Sequence, residues 1–160
     1  MRKLILMAFI CLQPFTTRAQ KLPDSMFHWT YSTHKDEMSG ELQYGAVVYS
    51  PDSLPMSNGN NIASLCFYVR GKIYLPMLSF LNGMISSSTT VVEVKFDDGP
   101  VEYFICTSSG DKLNAIVFTW SKGMLKRVLA SHKVMFRVPF YQEGYQIVHF
   151  NIEGFKLPGT

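Results

Sequence analysis

Residues 133–155 (KVMFRVPFYQEGYQIVHFNIEGF) constrain the fold most, because apolar and other side chains alternate over two consecutive stretches. Successive side chains of a β-strand point to opposite faces of a sheet, so this period of two predicts two strands, each with one apolar face. The alternating residues are Val134, Phe136, Val138 and Phe140, then Val148, Phe150 and Ile152. The polar Gln-Glu-Gly stretch between them predicts a turn. These residues therefore indicate a β-hairpin whose apolar face needs a core to cover it.

The preceding residues repeat this β pattern, with one exception. Strands are predicted at residues 27–32, 42–50, 62–69, 73–75, 89–96, 101–106 and 113–120. The Pro, Asn and Gly content of residues 50–61 predicts a loop. Pro76 argues against a central strand in the residues that follow it. Residues 121–132 instead carry a helical apolar stripe with Ser121 as N-cap. The fold class is therefore all-β: a single antiparallel β-sandwich or partly open barrel, with one short α-helix near the C-terminal third.

Residues 1–19 have the three regions of a secretory signal peptide: a basic start, an apolar run and a small-residue cut after Ala19. The apolar run, residues 4–12, is too short to cross a bilayer, which takes about 20 residues. A buried N-terminal strand or an uncleaved anchor is the alternative. We expect an exported protein, periplasmic or secreted, with residues 20–160 as a single β-sandwich domain and no transmembrane helix after cleavage.

The net charge changes once this segment is removed. Arg2, Lys3 and Arg18 are three of the 15 basic residues, and the segment has no acid, so twelve basic residues face 12 acidic ones. A chain with no net positive charge has no electrostatic reason to bind nucleic acid or an anionic membrane. We therefore expect neither as a partner.

Cysteine usage leaves two readings open. Cys11 lies in the predicted signal peptide, which leaves Cys66 and Cys106, each in a predicted strand. A pair of cysteines in an exported protein suggests a disulfide, provided that the two Cα atoms come within about 7 Å. The other reading is two buried thiols that pack as small apolar groups.

No motif in the chain predicts catalysis, a cofactor or a metal. The histidines are His28, His34, His132 and His149, and none has metal-binding spacing with another ligand. There is no phosphate-binding glycine loop and no nucleophile elbow. A hydrolase acting on envelope polymers, the alternative hypothesis, would need a polar pocket built from Asp97, Asp98, Ser108, Ser109 and Asp111. A second alternative, a binder of small apolar ligands, would need a cavity in the core.

The outer side of the hairpin is the predicted partner surface. Arg137, Tyr145 and His149 lie opposite its apolar rows. Tyrosine is enriched at protein interfaces, although sheets also use tyrosines for cross-strand packing on an outer face. We expect these three residues to contact a partner.

The C-terminal two-thirds of the chain resembles a known family. The resemblance rests on residues 89–99 (TTVVEVKFDDG), Ser108, Asp111, the helix at 124–129, and residues 134–141 and 148–155. This order is similar to the small exported proteins accessory to type VI secretion, the VasI/TagO group. It is similar, more loosely, to the invasion-associated locus B family, and the early Trp29 fits both. The resemblance implies a β-rich exported protein that has no catalytic residues and is accessory to a secretion apparatus.

Together these observations predict an exported, non-enzymatic binding or accessory protein of the bacterial envelope. Its partner would be an envelope or secretion-apparatus protein, and no cofactor is expected.

Overall fold

The structure, a computed structural model, describes residues 24–57, 59–109 and 113–157. The predicted signal peptide lies outside these ranges. The strands are Thr30–Lys35 (β1), Leu42–Met56 (β2), Gly59–Arg70 (β3), Ile73–Phe80 (β4), Thr89–Phe96 (β5), Val101–Ser108 (β6), Ala115–Phe118 (β7), Lys133–Phe140 (β8) and Gly144–Asn151 (β9). A 3₁₀ helix spans Asp24–Phe27, and the α-helix Ser121–Leu129 (α1) lies between β7 and β8.

The nine strands of the described residues form one antiparallel sheet in the order β1-β2-β3-β4-β7-β6-β5-β8-β9. Six of the eight pairings join strands that are consecutive in the chain. The other two, β4 with β7 and β5 with β8, bring together strands that are distant in sequence. The sheet curls into a half-barrel, which confirms the predicted antiparallel all-β fold with one helix in the C-terminal third.

The inner face of the curled sheet carries the core. Val134, Phe136, Val138 and Phe140 of β8 are all at most 3% exposed, as are Val148 and Phe150 of β9. This confirms the inward face predicted from the alternation. The Phe136 and Phe150 rings meet edge to face, with centroids 5.7 Å apart. Such aromatic pairs add to the stabilisation that burial provides.

A bulge interrupts β2 where a loop is predicted. The register with β3 shifts between Tyr49 and Ser53. The buried Ser50 Oγ accepts a hydrogen bond from the Asp52 N–H at 3.0 Å. Because Pro51 lies within this shift, its missing N–H costs no ladder hydrogen bond. Strand β2 therefore continues to Met56 and β3 begins at Gly59. The prediction of a loop at residues 50–61 was wrong.

Pro76 also lies in a strand, contrary to the sequence-based expectation. It pairs with Phe67 of β3, whereas β7 pairs only with Met77, Leu78 and Ser79. At Pro76, therefore, β4 has a neighbouring strand on one side only. Proline is tolerated at such an edge-like position because no ladder bond is needed on the open side.

Helix α1 packs its apolar stripe into the core. Met124, Leu125 and Val128 are buried. The residue before the helix is Trp120, which has no side-chain capping hydrogen bond, and Ser121 is the first helical residue rather than the predicted cap. The helix ends at Leu129, three residues earlier than predicted.

Side chains connect the edge strand β9 and its C-terminal extension to the N-terminal strands. Trp29 Nε1 donates a hydrogen bond to the Ile152 carbonyl at 3.1 Å. The Lys156 N–H donates to the Tyr31 hydroxyl at 2.8 Å. These bonds hold the half-barrel in its curled form.

Candidate functional site

A cleft of about 650 Å³ lies on the outer face of the sheet, where β5 ends and β8 begins; we call it the Asp97 cleft. Its volume is within the range of small-molecule and peptide-segment sites. The β2 bulge, the β5–β6 turn and the strands β8 and β9 form its walls. Its lining residues are Pro51, Lys95, Asp97, Asp98, His132, Lys133, Val134, Met135, His149, Phe150 and Asn151.

The strand register places the residues of the cleft floor. Lys95 of β5 pairs with Met135 of β8, and Met135 pairs with His149 of β9. Directly paired residues of an antiparallel sheet project from the same face, about 5 Å apart. The floor is therefore a thioether side chain between an ammonium group and an imidazole.

On one side of the cleft, Asp97 connects the β5–β6 turn to the loop between α1 and β8. Its Oδ1 accepts hydrogen bonds from the backbone N–H groups of His132 and Lys133, at 3.0 and 2.9 Å. These bonds, from Lys133 first and then His132, hold the pKa of the Asp97 carboxyl below its ordinary value. Asp97 has a φ of 45°, a left-handed conformation that aspartate adopts more readily than most residues. Its carboxylate thus fastens the α1–β8 loop to the β5–β6 turn.

His149 is held by a second carboxylate. The Asp52 Oδ2 lies 2.9 Å from the His149 backbone N and 2.7 Å from its Nδ1. Since an ionised carboxylate only accepts hydrogen bonds, Nδ1 carries the proton in this contact. The Nε2 atom then remains as the polar atom of the ring on the other side.

The two lysine side chains of the cleft are not held by contacts of this kind. Within the described residues, neither Lys95 nor Lys133 has a carboxylate within ion-pair distance. Both carboxylates that lie beside histidines, Asp52 and Asp97, already accept backbone hydrogen bonds. The cleft can therefore offer two ammonium groups, the Asp98 carboxylate and the apolar Met135 to a ligand.

The predicted partner residues lie on one face of the β8–β9 hairpin. Arg137 makes an ion pair with Glu93 at 2.7 Å, and Tyr145 is 67% exposed beside Pro139. His149 is at the other end of the same strand, in the cleft. The structure thus brings these residues to one surface, although only His149 belongs to the Asp97 cleft.

A larger apolar surface surrounds Arg137, and we call it the outer apolar face. It consists of Val91, Val101, Tyr103, Ile105, Tyr145 and Ile147, on β5, β6 and β9, each at least 45% exposed. Tyr145 is among the partner residues predicted from the sequence, whereas the aliphatic members were missed. Their signal was present in β6, where Val101, Tyr103 and Ile105 have the parity opposite to that of the buried Phe104 and Cys106.

The polar residues considered for a hydrolase are not brought together. Asp97 and Asp98 precede β6, whereas Ser108 and Ser109 are at its other end. Eight residues of extended strand separate them by roughly 25 Å. Asp111 lies outside the described residues. The pocket on which the hydrolase hypothesis depended is therefore not assembled from these residues.

The two cysteines of the described chain are free thiols. Cys66 is on β3 and Cys106 on β6, with β4 and β7 between them. Cys66 lies on the outer face, while Cys106 is fully buried on the inner face. A disulfide between them is thus not formed, because the side chains point to opposite faces of the sheet. Burial raises the pKa of the Cys106 thiol to about 12.

Comparison with known proteins adds no relative. No protein-family model, no curated protein and no solved structure matches this chain. Among the described residues, no helix has the length and apolarity needed to cross a bilayer. In the same residues, no three His, Cys, Asp or Glu side chains are grouped so that they could hold a metal ion.

Proposed function

We propose that this protein is an exported, non-enzymatic binding protein of the bacterial envelope, and that it binds a segment of another envelope protein in the Asp97 cleft. The observation that carries the proposal is the combination in one cleft of two lysines without ion-pair partners in the described residues and an apolar floor at Met135. A segment with an acidic side chain next to an apolar one matches this arrangement. The acid would pair with Lys95 and Lys133, and the apolar group would cover Met135.

The carboxylates of the cleft support a binding role over acid–base chemistry. A general acid or base needs a group that is free to exchange a proton with a substrate. Asp97 is engaged by two backbone N–H groups and Asp52 by His149. These hydrogen bonds favour a structural role for both carboxylates.

The resemblance to the accessory proteins of type VI secretion supports a component of a secretion apparatus as the partner. The basic start, short apolar run and small-residue cut after Ala19 support export to the periplasm or the medium. Protein recovered from those fractions is expected to begin at Gln20, which N-terminal mass spectrometry would measure. A chain in those fractions that keeps its first 19 residues would contradict cleavage after Ala19 alone.

The binding proposal is tested by capture from an envelope extract. Purified protein is immobilised, and retained proteins are identified by mass spectrometry. The test variant is Lys95→Glu with Lys133→Glu, which reverses both cleft charges. The matched control is Lys72→Glu with Lys126→Glu, which makes the same charge change outside the cleft.

We expect one partner to be retained by the wild type and the control and lost from the cleft variant. Because electrostatic contacts are screened by salt, capture should also weaken as ionic strength rises. Equal capture by the cleft variant and the control would overturn the assignment of the cleft. Capture of nothing above background by the wild type would overturn the binding function.

A further inference from the structure

The outer apolar face and the Asp97 cleft form one continuous surface. Lys95 and Met135 line the cleft, and both also line a groove of about 90 Å³ beside it. That groove extends to Val101 and Ile147, which are members of the outer apolar face. A molecule that occupies the cleft is therefore in position to continue over this face.

The strand register orders this surface into rows, to which β6, β5, β8 and β9 each contribute one outward side chain. The row on the cleft floor is, in that order of strands, Val101, Lys95, Met135 and His149. The next row, in the same order, is Tyr103, Glu93, Arg137 and Ile147. Beyond it, Ile105 of β6 pairs with Val91 of β5. The lysines of the cleft thus lie at one end of the surface, and the apolar side chains extend away from them.

The ion pair in the second row can be covered without leaving a charge unpaired. The Arg137 guanidinium donates to the Glu93 carboxylate at 2.7 Å, and the two side chains are 50% and 29% exposed. Covering a charge that lacks a partner is costly, whereas each of these charges already has one. The row can therefore lie beneath apolar side chains of a partner.

The dimensions of this surface fit one α-helix. Three spacings of about 4.8 Å between its four strands give a width of about 14 Å, and a helix with its side chains is about 10 Å across. Val91 and Asp97 are six residues apart, roughly 20 Å of extended chain, which a helix of about 13 residues spans. A helix also satisfies its own backbone hydrogen bonds, which the face of a sheet cannot do for an extended segment.

We propose that the partner segment is an amphipathic helix that lies along β5 and β8, with an acidic residue at its end over the Asp97 cleft and its apolar side on the outer apolar face. This inference rests on the proposed function, because it concerns the same segment of the same envelope protein. The acidic residue pairs with Lys95 and Lys133. The apolar residues recur at intervals of three and four and contact Tyr103, Ile105 and Ile147.

The order of charge along the surface selects this chemistry. A helix that is apolar throughout would cover Lys95 and Lys133 without pairing them. A helix that is acidic on every side would place carboxylates on Tyr103 and Ile147. The occupant is therefore acidic at one end and apolar along one side.

The test uses photo-crosslinking in an envelope extract. The photoreactive amino acid p-benzoylphenylalanine is introduced at Val101, next to the cleft floor, or at Ile105, at the far end of the face. These side chains are 47% and 58% exposed, so the fold has room for the larger group. The control position is Ile73, which is 64% exposed on β4. Mass spectrometry identifies the cross-linked residues of the partner.

Both positions on β6 are expected to cross-link to one segment of one protein, and the control position is not. Val101 and Ile105 are four residues apart, roughly 14 Å along the strand. Because a helix advances about 1.5 Å per residue, the two cross-linked residues should be about nine apart in the partner. An extended segment would place them about four apart, and that spacing would overturn the helix.

Polar variants measure the contribution of the apolar side. Tyr103→Ser with Ile147→Ser is expected to lower capture of this partner at least about tenfold, as the loss of interface anchors does. The matched control, Leu42→Ser with Ile73→Ser, changes side chains that are 45% and 64% exposed outside the face and should retain capture. Circular dichroism establishes that both variants are folded. Undiminished capture by the folded Tyr103 and Ile147 variant overturns the contact with the outer apolar face.

The cleft variant separates this inference from the proposed function. In Lys95→Glu with Lys133→Glu, the cross-link at Ile105 should be lost together with capture. A cross-link at Ile105 that persists would overturn the continuous segment. Capture that depends on the lysines but gives no cross-link at Ile105 would overturn the helix and leave the proposed function intact. A cross-link between two copies in purified protein would assign the face to a second copy and overturn the inference as well.

Discussion

The Asp52 carboxylate holds His149 twice, through the backbone N–H at 2.9 Å and the ring Nδ1 at 2.7 Å, both at Oδ2. Asp52 comes from the bulge of β2, and His149 from the edge strand β9. The contact therefore joins the two sides of the half-barrel across its opening, 97 residues apart in the chain.

Asp52→Ala should lower the free energy of unfolding by about 1–2 kcal/mol, since hydrogen bonds to a charged acceptor contribute modestly when half exposed. His149→Ala removes only the ring contact and should cost less. Urea denaturation measures both. Equal losses would mean that the backbone hydrogen bond contributes nothing to closing the sheet.

Asp97 should make the free energy of unfolding depend on pH in the acidic range. Its backbone hydrogen bonds lower the pKa of the carboxyl in the folded state. The unfolded state therefore binds the proton more readily, so this stabilisation is present at neutral pH and is lost as the pH falls below about 4. Asp97→Asn keeps an oxygen acceptor and tolerates the positive φ, so it should reduce the difference in stability between pH 7 and pH 3. Asp98→Asn is the neighbouring control and should leave that difference as in the wild type.

Phe150→Ala should cost about 3–5 kcal/mol, because truncating a buried phenylalanine leaves a cavity. Phe150 is 2% exposed and contacts Phe136. Ile73, which is 64% exposed on β4, provides the control. Its replacement by alanine should change the urea midpoint little. A loss below about 1 kcal/mol at Phe150 would contradict a closely packed core there.

Gly123→Ala should destabilise α1, although alanine favours a helix by about 1 kcal/mol over glycine. A Cβ at residue 123 would overlap the Trp120 indole, which stacks on Phe104 with centroids 6.0 Å apart. The indole would have to leave that stack, which Trp fluorescence can detect. Trp120→Ala removes the obstacle, so adding Gly123→Ala to that variant should raise stability. A stabilising effect in the wild-type background would show that Trp120 moves aside at little cost.

The cysteines should react as free thiols with different rates. Denatured protein treated with iodoacetamide without reductant should gain two labels at Cys66 and Cys106. In the folded protein Cys106 should stay unlabelled, because the thiolate is the reactive form and burial keeps the thiol protonated. Peptide mass spectrometry gives the sites. Absence of label at both positions in denatured, unreduced protein would contradict the free thiols.

Alternation within single strands made much of this fold predictable from sequence. The inward row of β8 and the helical stripe of α1 follow from local periods that need no partner to be recognised. The order of the strands does not follow, because β7 pairs with β4 through residues 36 positions or more away, such as Leu78 with Ile116. The strand at Pro51 was not predicted because a proline is tolerated there only through a bulge, and the bulge depends on the register with β3.

The candidate site was less predictable for the same reason. His149 was predicted as a partner residue because it alternates with the apolar row of β9. The same alternation correctly placed it on the outer surface. Its neighbour Lys95 lies on β5, which pairs with β8, while Pro51 lies on β2, which meets β9 only after the sheet curls. No local pattern connects them, so the cleft emerges only from the tertiary arrangement.

The bond from Trp29 Nε1 to the Ile152 carbonyl also sets the order of events when the chain folds. Its two groups are 123 residues apart, so the contact cannot form until residue 152 has been synthesised. Contacts of such separation slow folding because the intervening chain loses entropy before they form. Strand β1 can pair with β2 soon after both have been synthesised, whereas the Trp29 indole just before it is secured only when residue 152 is in place.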